Sequence, residues 1–238
     1  MVGRYPTAGF LRLNTPEDEA VLWFTCSMRI DVWADLVCPW CFIGKHRLQR
    51  ALDTLPNDND DEVHIVHRAF QLNPSASTHS EPTVEHLAAK YGLTSEQALQ
   101  MMSEVTEVAA KDGLDYHLDK TMTGNTKDAH RFVLWTQDTA PQSTQPLLAD
   151  LYSAYFERGE RIFTIDDLAP FASKHDLDTR AMREVLEGRD YLDDVHSDQA
   201  LARELGAGGV PFFVFNDKVG LSGAQPVAVF RQALDQAT

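Results

Sequence analysis

Strand-like sequence in this chain is confined to two regions, and a long helical stretch separates them. Residues 30–36 alternate between apolar and polar side chains, as a half-buried strand does. Apolar residues then recur at helical spacing over 42–55, and Pro56 with the polar run 57–61 is predicted to end this helix. Residues 63–70, rich in β-branched side chains, predict a second strand. These three elements form a β-α-β unit.

Residues 74–206 carry helical signals almost throughout. Thr94 and Gln97 form a capping box ahead of one helix. Asn125 is predicted to cap the next helix, and Pro146 is predicted to take the first position of the helix after that. Three further helices are predicted over residues 166–174, 179–187 and 190–205.

The strand pattern returns after the glycine-rich segment 206–209. Residues 210–215 are apolar, 219–222 continue as a second strand, and 226–237 have the spacing of a terminal helix. This layout predicts an α/β protein whose small sheet is interrupted by a helical domain. The predicted boundaries are 28–73 and 207–238 for the α/β part and 74–206 for the insertion.

Two cysteines lie at the predicted junction of the first strand and the first helix, in the sequence Cys38-Pro39-Trp40-Cys41. At a helix cap, free N–H groups and the positive end of the helix dipole favour a thiolate on Cys38. Pro39 falls in the first turn, where its missing N–H costs no hydrogen bond. Cys41 follows one turn later, so we predict that Cys38 attacks and Cys41 resolves. Half of a zinc site, or two inert buried cysteines, are the alternatives.

A proline stands at the start of the later apolar strand, within Gly209-Val210-Pro211-Phe212. Proline cannot donate to a strand ladder, so it belongs at the first residue of a strand or on an edge. A cis Val210–Pro211 bond would bend the chain and leave the Val210 backbone open to pair with an extended substrate. The residues alone leave cis and trans equally open.

The net charge of the chain limits the classes of partner that it can bind. The 21 Lys and Arg residues against 36 Asp and Glu residues give a net charge of −15. Such a surface repels phosphate backbones and anionic lipid headgroups, so we predict no nucleic-acid or membrane partner. No apolar run approaches the ~20 residues that a membrane helix needs. The histidines show no ligand spacing, so we predict no metal site.

Residues 1–27 differ from an export signal, because their short apolar stretch at 20–24 follows acidic residues rather than basic ones. We therefore predict a cytoplasmic protein, in which thiols are mostly kept reduced. The strand pattern begins directly after Met28. Our hypothesis is that Met28 is the true start, that 1–27 are either a disordered extension or no part of the protein, and that Cys26 has no role.

Three segments resemble a known family. They are residues 31–44 with the cysteine pair, residues 70–74 (FQLNP) and residues 209–215 (GVPFFVF). They are similar to the DsbA-like thioredoxin-fold oxidoreductases, and most of all to the FrnE-type cytosolic branch. The resemblance extends from about Met28 to the end of the chain. It implies a thioredoxin-like fold with a helical domain inserted between β-α-β and β-β-α halves.

The resemblance also implies an activity and a site. It implies thiol–disulfide oxidoreductase or protein disulfide isomerase activity, with Cys38 as nucleophile, Cys41 as resolving thiol and Pro211 as a cis-proline that faces them. Protein or small-molecule thiols and disulfides are the implied partners, with no cofactor beyond glutathione as a candidate redox partner. Some FrnE-type proteins have a second cysteine pair near the carboxyl end, whereas no cysteine follows Cys41 here.

Two other functions compete with this interpretation. Kappa-class glutathione transferases and hydroxychromene-carboxylate isomerases share the interrupted architecture, but they typically have serine at the position of Cys38 and lack the second cysteine. In such an enzyme Asn125, His130 and Arg131 could contact a thiol ligand; otherwise they are a helix cap and solvated or core-edge groups, which we favour for His130. The second alternative is a redox-inactive chaperone that holds its partners beside Pro211.

Overall fold

The computed structural model describes residues 28–55, 63–77 and 79–238. The predictions for residues 1–27 and for the helix stop at Pro56 and 57–61 lie outside these residues. The strands are β1 (Met28–Ala34), β2 (Val63–Ala69), β3 (Glu81–Pro82), β4 (Met122–Thr123), β5 (Phe212–Phe215) and β6 (Val219–Ser222). The helices are α1 (Pro39–Leu52), α2 (Thr83–Tyr91), α3 (Ser95–Lys111), α4 (Lys127–Thr139), α5 (Pro141–Phe156), α6 (Ile165–Lys174), α7 (Thr179–Glu187), α8 (Leu192–Glu204) and α9 (Val227–Ala237), with a 3₁₀ turn at Leu118–Lys120.

Four strands form one mixed sheet in the order β2-β1-β5-β6. β1 runs parallel to β2, with Ile30 opposite Ile65, and antiparallel to β5, with Val32 opposite Phe213. A parallel pair needs a crossover connection, which α1 supplies between β1 and β2. The helices α2 to α8 follow β2 and precede β5. The predicted thioredoxin-like fold with an inserted helical region is confirmed.

Helices cover both faces of this sheet. Phe213 and Phe215 of β5 pack in one core with residues of α1 and α9. Phe212 and Val214 point the other way, where they pack with Trp33 and a residue of α8. This alternation is the two-residue period of a strand, and it explains why all four residues of β5 are buried.

A buried polar network attaches α8 to the sheet. The Arg68 guanidinium on β2 donates to Asp31 on β1 at 2.7 Å and to Asp198 on α8 at 3.0 Å. The indole N–H of Trp33 donates to the Asp198 carbonyl oxygen at 2.8 Å. These bonds fix the helix that leads into the segment before β5, and that segment carries Pro211.

One predicted helix start is wrong. α5 begins at Pro141, so Pro146 lies inside the helix and not at its first position. Pro141 meets the same requirement earlier in the chain, because a first helical residue needs no N–H bond. Within α5, Pro146 removes the hydrogen bond that the Gln142 carbonyl would otherwise accept.

The other start signals locate helices to within a residue. The capping box is confirmed, since the Gln97 N–H donates to the Thr94 hydroxyl at 3.3 Å and the Gln97 side chain accepts from the Thr94 N–H at 2.9 Å. α4 has Thr126 as its N-cap in place of Asn125. The Asn125 side-chain oxygen nevertheless accepts the Lys127 N–H at 2.9 Å, which is a capping interaction from one residue earlier.

Candidate active site

Cys38 lies where the chain leaves the sheet and begins α1. Its N–H donates to the Asp35 carbonyl oxygen at 3.1 Å, which forms the turn, and Pro39 takes the first helical position. Among the residues that the structure describes, no side chain caps this end of α1, and its first turn has no acidic residue. The helix N–H groups and dipole therefore act on the Cys38 sulfur without competition from a carboxylate in that turn.

The segment before β5 forms the wall opposite Cys38. The Val210–Pro211 peptide bond is cis, as the resemblance implies. The Cys38 thiol donates to the Val210 carbonyl oxygen, with an S–O distance of 3.7 Å. On the other side, the Pro211 carbonyl oxygen accepts the Gly223 N–H at 2.8 Å. These bonds hold the segment in place, with the Val210 carbonyl oxygen beside the Cys38 sulfur.

The close approach of α1 to this wall depends on Gly44. A Cβ at this position would lie 2.9 Å from Pro211 Cγ and 3.2 Å from Phe213 Cζ. The first distance is shorter than carbon–carbon contacts in proteins allow. Glycine therefore lets the helix that carries both cysteines lie against the proline.

Cys41 lies one turn into α1, and both cysteines are free thiols. The exposed fractions of Cys38 and Cys41 are 3% and 1%. Burial raises the pKa of the Cys41 thiol well above its usual value, and the hydrogen bond and charge of Cys38 raise it further. Cys41 therefore stays protonated at neutral pH unless a group nearby takes its proton.

A set of aromatic rings supports the motif from the helical part of the chain. Phe42 stacks on Tyr152 at a centroid distance of 5.1 Å and on Tyr116 at 5.9 Å. The Tyr116 hydroxyl donates to the Pro39 carbonyl oxygen at 2.8 Å, and the Tyr152 hydroxyl donates to the Asp35 carbonyl oxygen at 3.4 Å. These contacts fix the backbone on both sides of Cys38.

A cavity of about 360 Å³ opens beside Cys38, between the motif and the inserted helices. Trp40, which is 40% exposed, stands at this cavity together with Val210. The opposite side is mainly apolar, and its basic groups are His86 and Lys90 of α2. Its residues from the helical region include Leu87, Tyr91, Met101, Met102, Val105, Leu118, Tyr155 and Phe156. The volume suits one small molecule or a few side chains of a peptide.

The chain has relatives among known proteins. The family model described as a DsbA-like thioredoxin domain matches residues 29–235. The chain belongs to this family. A probable DsbA oxidoreductase from Streptomyces coelicolor is 37% identical, with a TM-score of 0.80 over 88% of this chain and 89% of that one.

Two further proteins are similar to this chain. The uncharacterized protein YwbO of Bacillus subtilis is 26% identical over 215 residues, which cover 87% of this chain and 96% of that protein. A 2-hydroxychromene-2-carboxylate isomerase has a TM-score of 0.64 at 14% identity, over 87% of this chain and 95% of the isomerase. At that identity the likeness concerns the fold alone.

The DsbA-like core contains a buried polar cluster that the sequence did not indicate. His130 is fully buried, so its description as a solvated or core-edge group is wrong. Its Nδ1 lies 3.3 Å from Nε2 of His67, and its Nε2 lies 3.3 Å from Oδ1 of Asp35. The second pair is close but misaligned, so neither of those two atoms has a hydrogen-bond partner among the described residues. Asp35 also accepts the Leu72 N–H at 2.7 Å.

Asn125 and Arg131 have structural partners. The Asn125 amide donates to the carbonyl oxygens of Pro74 and Ala76 at 3.1 and 3.0 Å. Arg131 is 2% exposed and donates to backbone carbonyl oxygens of α7 and the segment after it, including Leu186 at 3.0 Å and Asp190 at 2.7 Å. These bonds engage both side chains in holding neighbouring segments together, and neither residue lines the cavity beside Cys38.

Residues 28–55, 63–77 and 79–238 contain neither a metal-binding cluster nor a membrane-spanning helix. Within them no group of three or more His, Cys, Asp or Glu side chains is arranged to hold a metal ion. None of the helices in these ranges combines the length and apolar character required to span a bilayer.

Proposed function

We propose that this DsbA-like chain is a thiol–disulfide oxidoreductase or protein disulfide isomerase that works by mixed-disulfide exchange through Cys38 and Cys41. The observation that carries the proposal is the position of the Cys38 sulfur at the uncapped start of α1, 3.7 Å from the Val210 carbonyl oxygen. A helix start stabilises a thiolate, and a thiolate is the nucleophile in disulfide exchange. Pro39 and Trp40 complete the motif between the two sulfurs.

The reaction would proceed in two exchanges. The Cys38 thiolate attacks one sulfur of a substrate disulfide, a Cys38–substrate disulfide forms, and the other substrate sulfur leaves as a thiolate. Cys41 then attacks the Cys38 sulfur, the Cys38–Cys41 disulfide forms, and the second substrate sulfur leaves. The substrate is reduced by two electrons and the protein is oxidised by two. In the opposite direction the Cys38–Cys41 disulfide oxidises a substrate dithiol by the same steps.

Val210 and Pro211 would position the substrate. An extended segment that approaches Cys38 lies along the Val210 backbone, where a carbonyl oxygen is already within reach of the sulfur. We propose that the cavity of about 360 Å³ receives the group attached to the reacting sulfur. Protein and low-molecular-weight disulfides both meet this description.

The first test is an equilibrium redox titration against glutathione, with Cys38 and Cys41 followed by thiol alkylation and intact mass. We expect a reversible Cys38–Cys41 disulfide. Its potential, within the roughly −270 to −120 mV range of thioredoxin-fold proteins, would give the direction of electron flow. Failure to form this disulfide at every ratio would refute the proposal.

The same titration tests the second function considered for this fold. A stable glutathione adduct on Cys38 without intramolecular disulfide would favour a glutathione-dependent transferase or isomerase. Cytoplasmic location and membership of the FrnE-type branch stay predictions. Cell fractionation of the native protein, with its intact mass, would test the location and the status of residues 1–27.

A further inference from the structure

A second, much smaller cavity lies beside Cys41, and it shares no lining residue with the larger cavity beside Cys38. Its volume of about 30 Å³ is enough for one or two water molecules. Cys41 and Lys45 of α1, His67 of β2, and Gln145 and Tyr152 of α5 contribute its polar lining. The remaining contacts are largely apolar, including Phe213 of β5. Cys41 and Lys45 both line this cavity, so a water in it would contact both residues.

Lys45 is held at this cavity by a neutral partner. It follows Cys41 by one helical turn, and its Nζ donates to the Gln145 side-chain oxygen at 3.0 Å. No carboxylate forms an ion pair with Lys45 within the part of the chain that the structure describes. Lys45 is half-buried, and an ammonium group that has lost part of its water and has no counter-ion gives up its proton more readily than a fully solvated one. Burial lowers the pKa of Lys45 to about 8.

The other titratable groups that face the cavity are neutral near pH 7. Burial lowers the pKa of His67 well below its usual value, and the charges of His130, Arg68 and Lys45 act in the same direction. Burial raises the pKa of Tyr152 well above its usual value. His130 and then Asp35 lie behind His67. The charge of Asp35 also acts on Cys41 and raises its pKa, but Asp35 does not line this cavity. Lys45 is therefore the lining group suited to exchanging a proton with Cys41 in this pH range.

We propose that Lys45 accepts the proton of Cys41, through water in this cavity, in the step that resolves the mixed disulfide. The Cys41 proton passes to the Lys45 amine, the Cys41 sulfur bonds to Cys38, and the substrate sulfur leaves as a thiolate that solvent protonates. In the reverse direction the Lys45 ammonium returns the proton to Cys41. The inference rests on the proposed oxidoreductase function and adds a proton path on the side opposite the substrate.

The test follows both exchanges with one probe, the aromatic disulfide dithiobis(nitrobenzoate), on the full chain. The first thionitrobenzoate is released when Cys38 attacks, and the second when Cys41 resolves the adduct. For the unaltered protein we expect the rate of the second release to rise with pH and level off above about 8. In Lys45→Met we expect this release to be about 10- to 100-fold slower at pH 7, with no levelling near pH 8.

Two variants separate proton transfer from charge and packing. Lys45→Arg keeps a positive charge that cannot be lost, so it should also be slow and show no inflection near pH 8. Gln49→Met replaces a polar residue at the same cavity without removing a titratable group, and it should match the unaltered protein. The first release should change by less than about two-fold in all three variants, because Cys38 lies on the other side.

The possible results distinguish a failure of the Lys45 proposal from a failure of the proposed two-cysteine function. An unchanged second release in Lys45→Met, or full recovery of its rate and pH profile in Lys45→Arg, would overturn the role of Lys45. Absence of a second release from the unaltered protein would instead refute the proposed two-cysteine function. If Lys45→Met altered the first release as strongly as the second, a general structural effect would be the explanation, and the proposal would be rejected.

Discussion

Cys38 and Cys41 are three residues apart and almost equally buried, yet they face different surroundings. The Cys38 sulfur faces the Val210 carbonyl oxygen and a cavity large enough for a ligand. Cys41 faces a cavity that holds at most one or two waters, beside Lys45. Exposure alone would not distinguish the two thiols. What distinguishes them is the groups that each one faces: Cys38 faces Val210 before β5, whereas the cavity beside Cys41 takes its polar groups from α1, β2 and α5.

Replacing each cysteine with serine should give the largest difference in activity between the two positions. Cys38→Ser removes the thiol beside the larger cavity, so the rate of disulfide exchange should fall to that of the uncatalysed reaction. Cys41→Ser keeps the first exchange but removes the second, so a substrate adduct should accumulate on Cys38. Intact mass after incubation with oxidised glutathione measures both results. Equal adduct yields from the two variants would contradict the assignment of roles.

The buried His67 should make the stability of the protein sensitive to acid. Burial lowers the pKa of His67 below that of an unfolded histidine, so the unfolded chain binds the proton first as pH falls below about 6.5. The free energy of unfolding should therefore drop by up to about 1.4 kcal/mol per pH unit from this group. His67→Phe should flatten that slope between pH 7 and 5, as measured by urea unfolding.

The exposed His79 offers the matched control for this experiment. His79→Gln should leave the acid slope of the unfolding free energy unchanged, because solvent reaches that side chain in both states. A His67→Phe protein with the slope of the unaltered protein would show that acid sensitivity arises elsewhere.

Adding a methyl group between α1 and Pro211 should have a smaller effect, and it should act on stability. In Gly44→Ala the new Cβ would meet Pro211 Cγ at 2.9 Å, and overpacking of this kind costs about 1–3 kcal/mol. Alanine recovers about 1 kcal/mol of helix propensity, so a net loss near 1 kcal/mol is expected. Thermal unfolding measures the loss, and alkylation of Cys38 should report the displaced wall. Gly208→Ala, where an added Cβ meets nothing within 4 Å, is the control.

Filling the larger cavity beside Cys38 should have the smallest effect on activity. Met101 lines the larger cavity, and Met101→Trp would narrow it from α3. We expect a three- to five-fold lower kcat/KM for bulky disulfides, less than about 1 kcal/mol, and little change for small ones. Leu99→Trp, on the same helix at an exposed position outside the cavity, should leave both values unchanged. An equal loss for both substrate sizes would indicate that the cavity does not contact substrate.

The fold was largely predictable because its signals are local. Alternating residues predict β1, β-branched residues predict β2, and the glycine-rich segment before Val210 marks the return to strands. The short pairing of Glu81 and Pro82 with Thr123 and Met122 was not predictable, since two-residue strands have no period to detect. Pro146 shows the limit of a start signal: a second proline five residues earlier satisfies the same rule.

The site was predictable on one side only. The Cys-Pro-Trp-Cys motif and the Val210–Pro211 pair are continuous sequences with a mechanism attached to their spacing. The buried polar cluster is assembled from Asp35, His67 and His130. These residues lie far apart in the sequence, so no spacing pattern connects them. Lys45 did leave a local signal, because it follows Cys41 by four residues on a helix face that is otherwise buried.

Assembly of this site depends on a long interval of protein synthesis. The Cys38 thiol and the Val210 carbonyl that accepts its hydrogen bond are 172 residues apart in the chain. At ribosomal rates of ~5–20 residues per second, that separation corresponds to roughly 10 to 30 s. During this time β1 has an unpaired edge where β5 will later bind, and the dithiol has no proline wall. The nascent protein thus carries its reactive motif well before it carries the structure that selects a substrate for it.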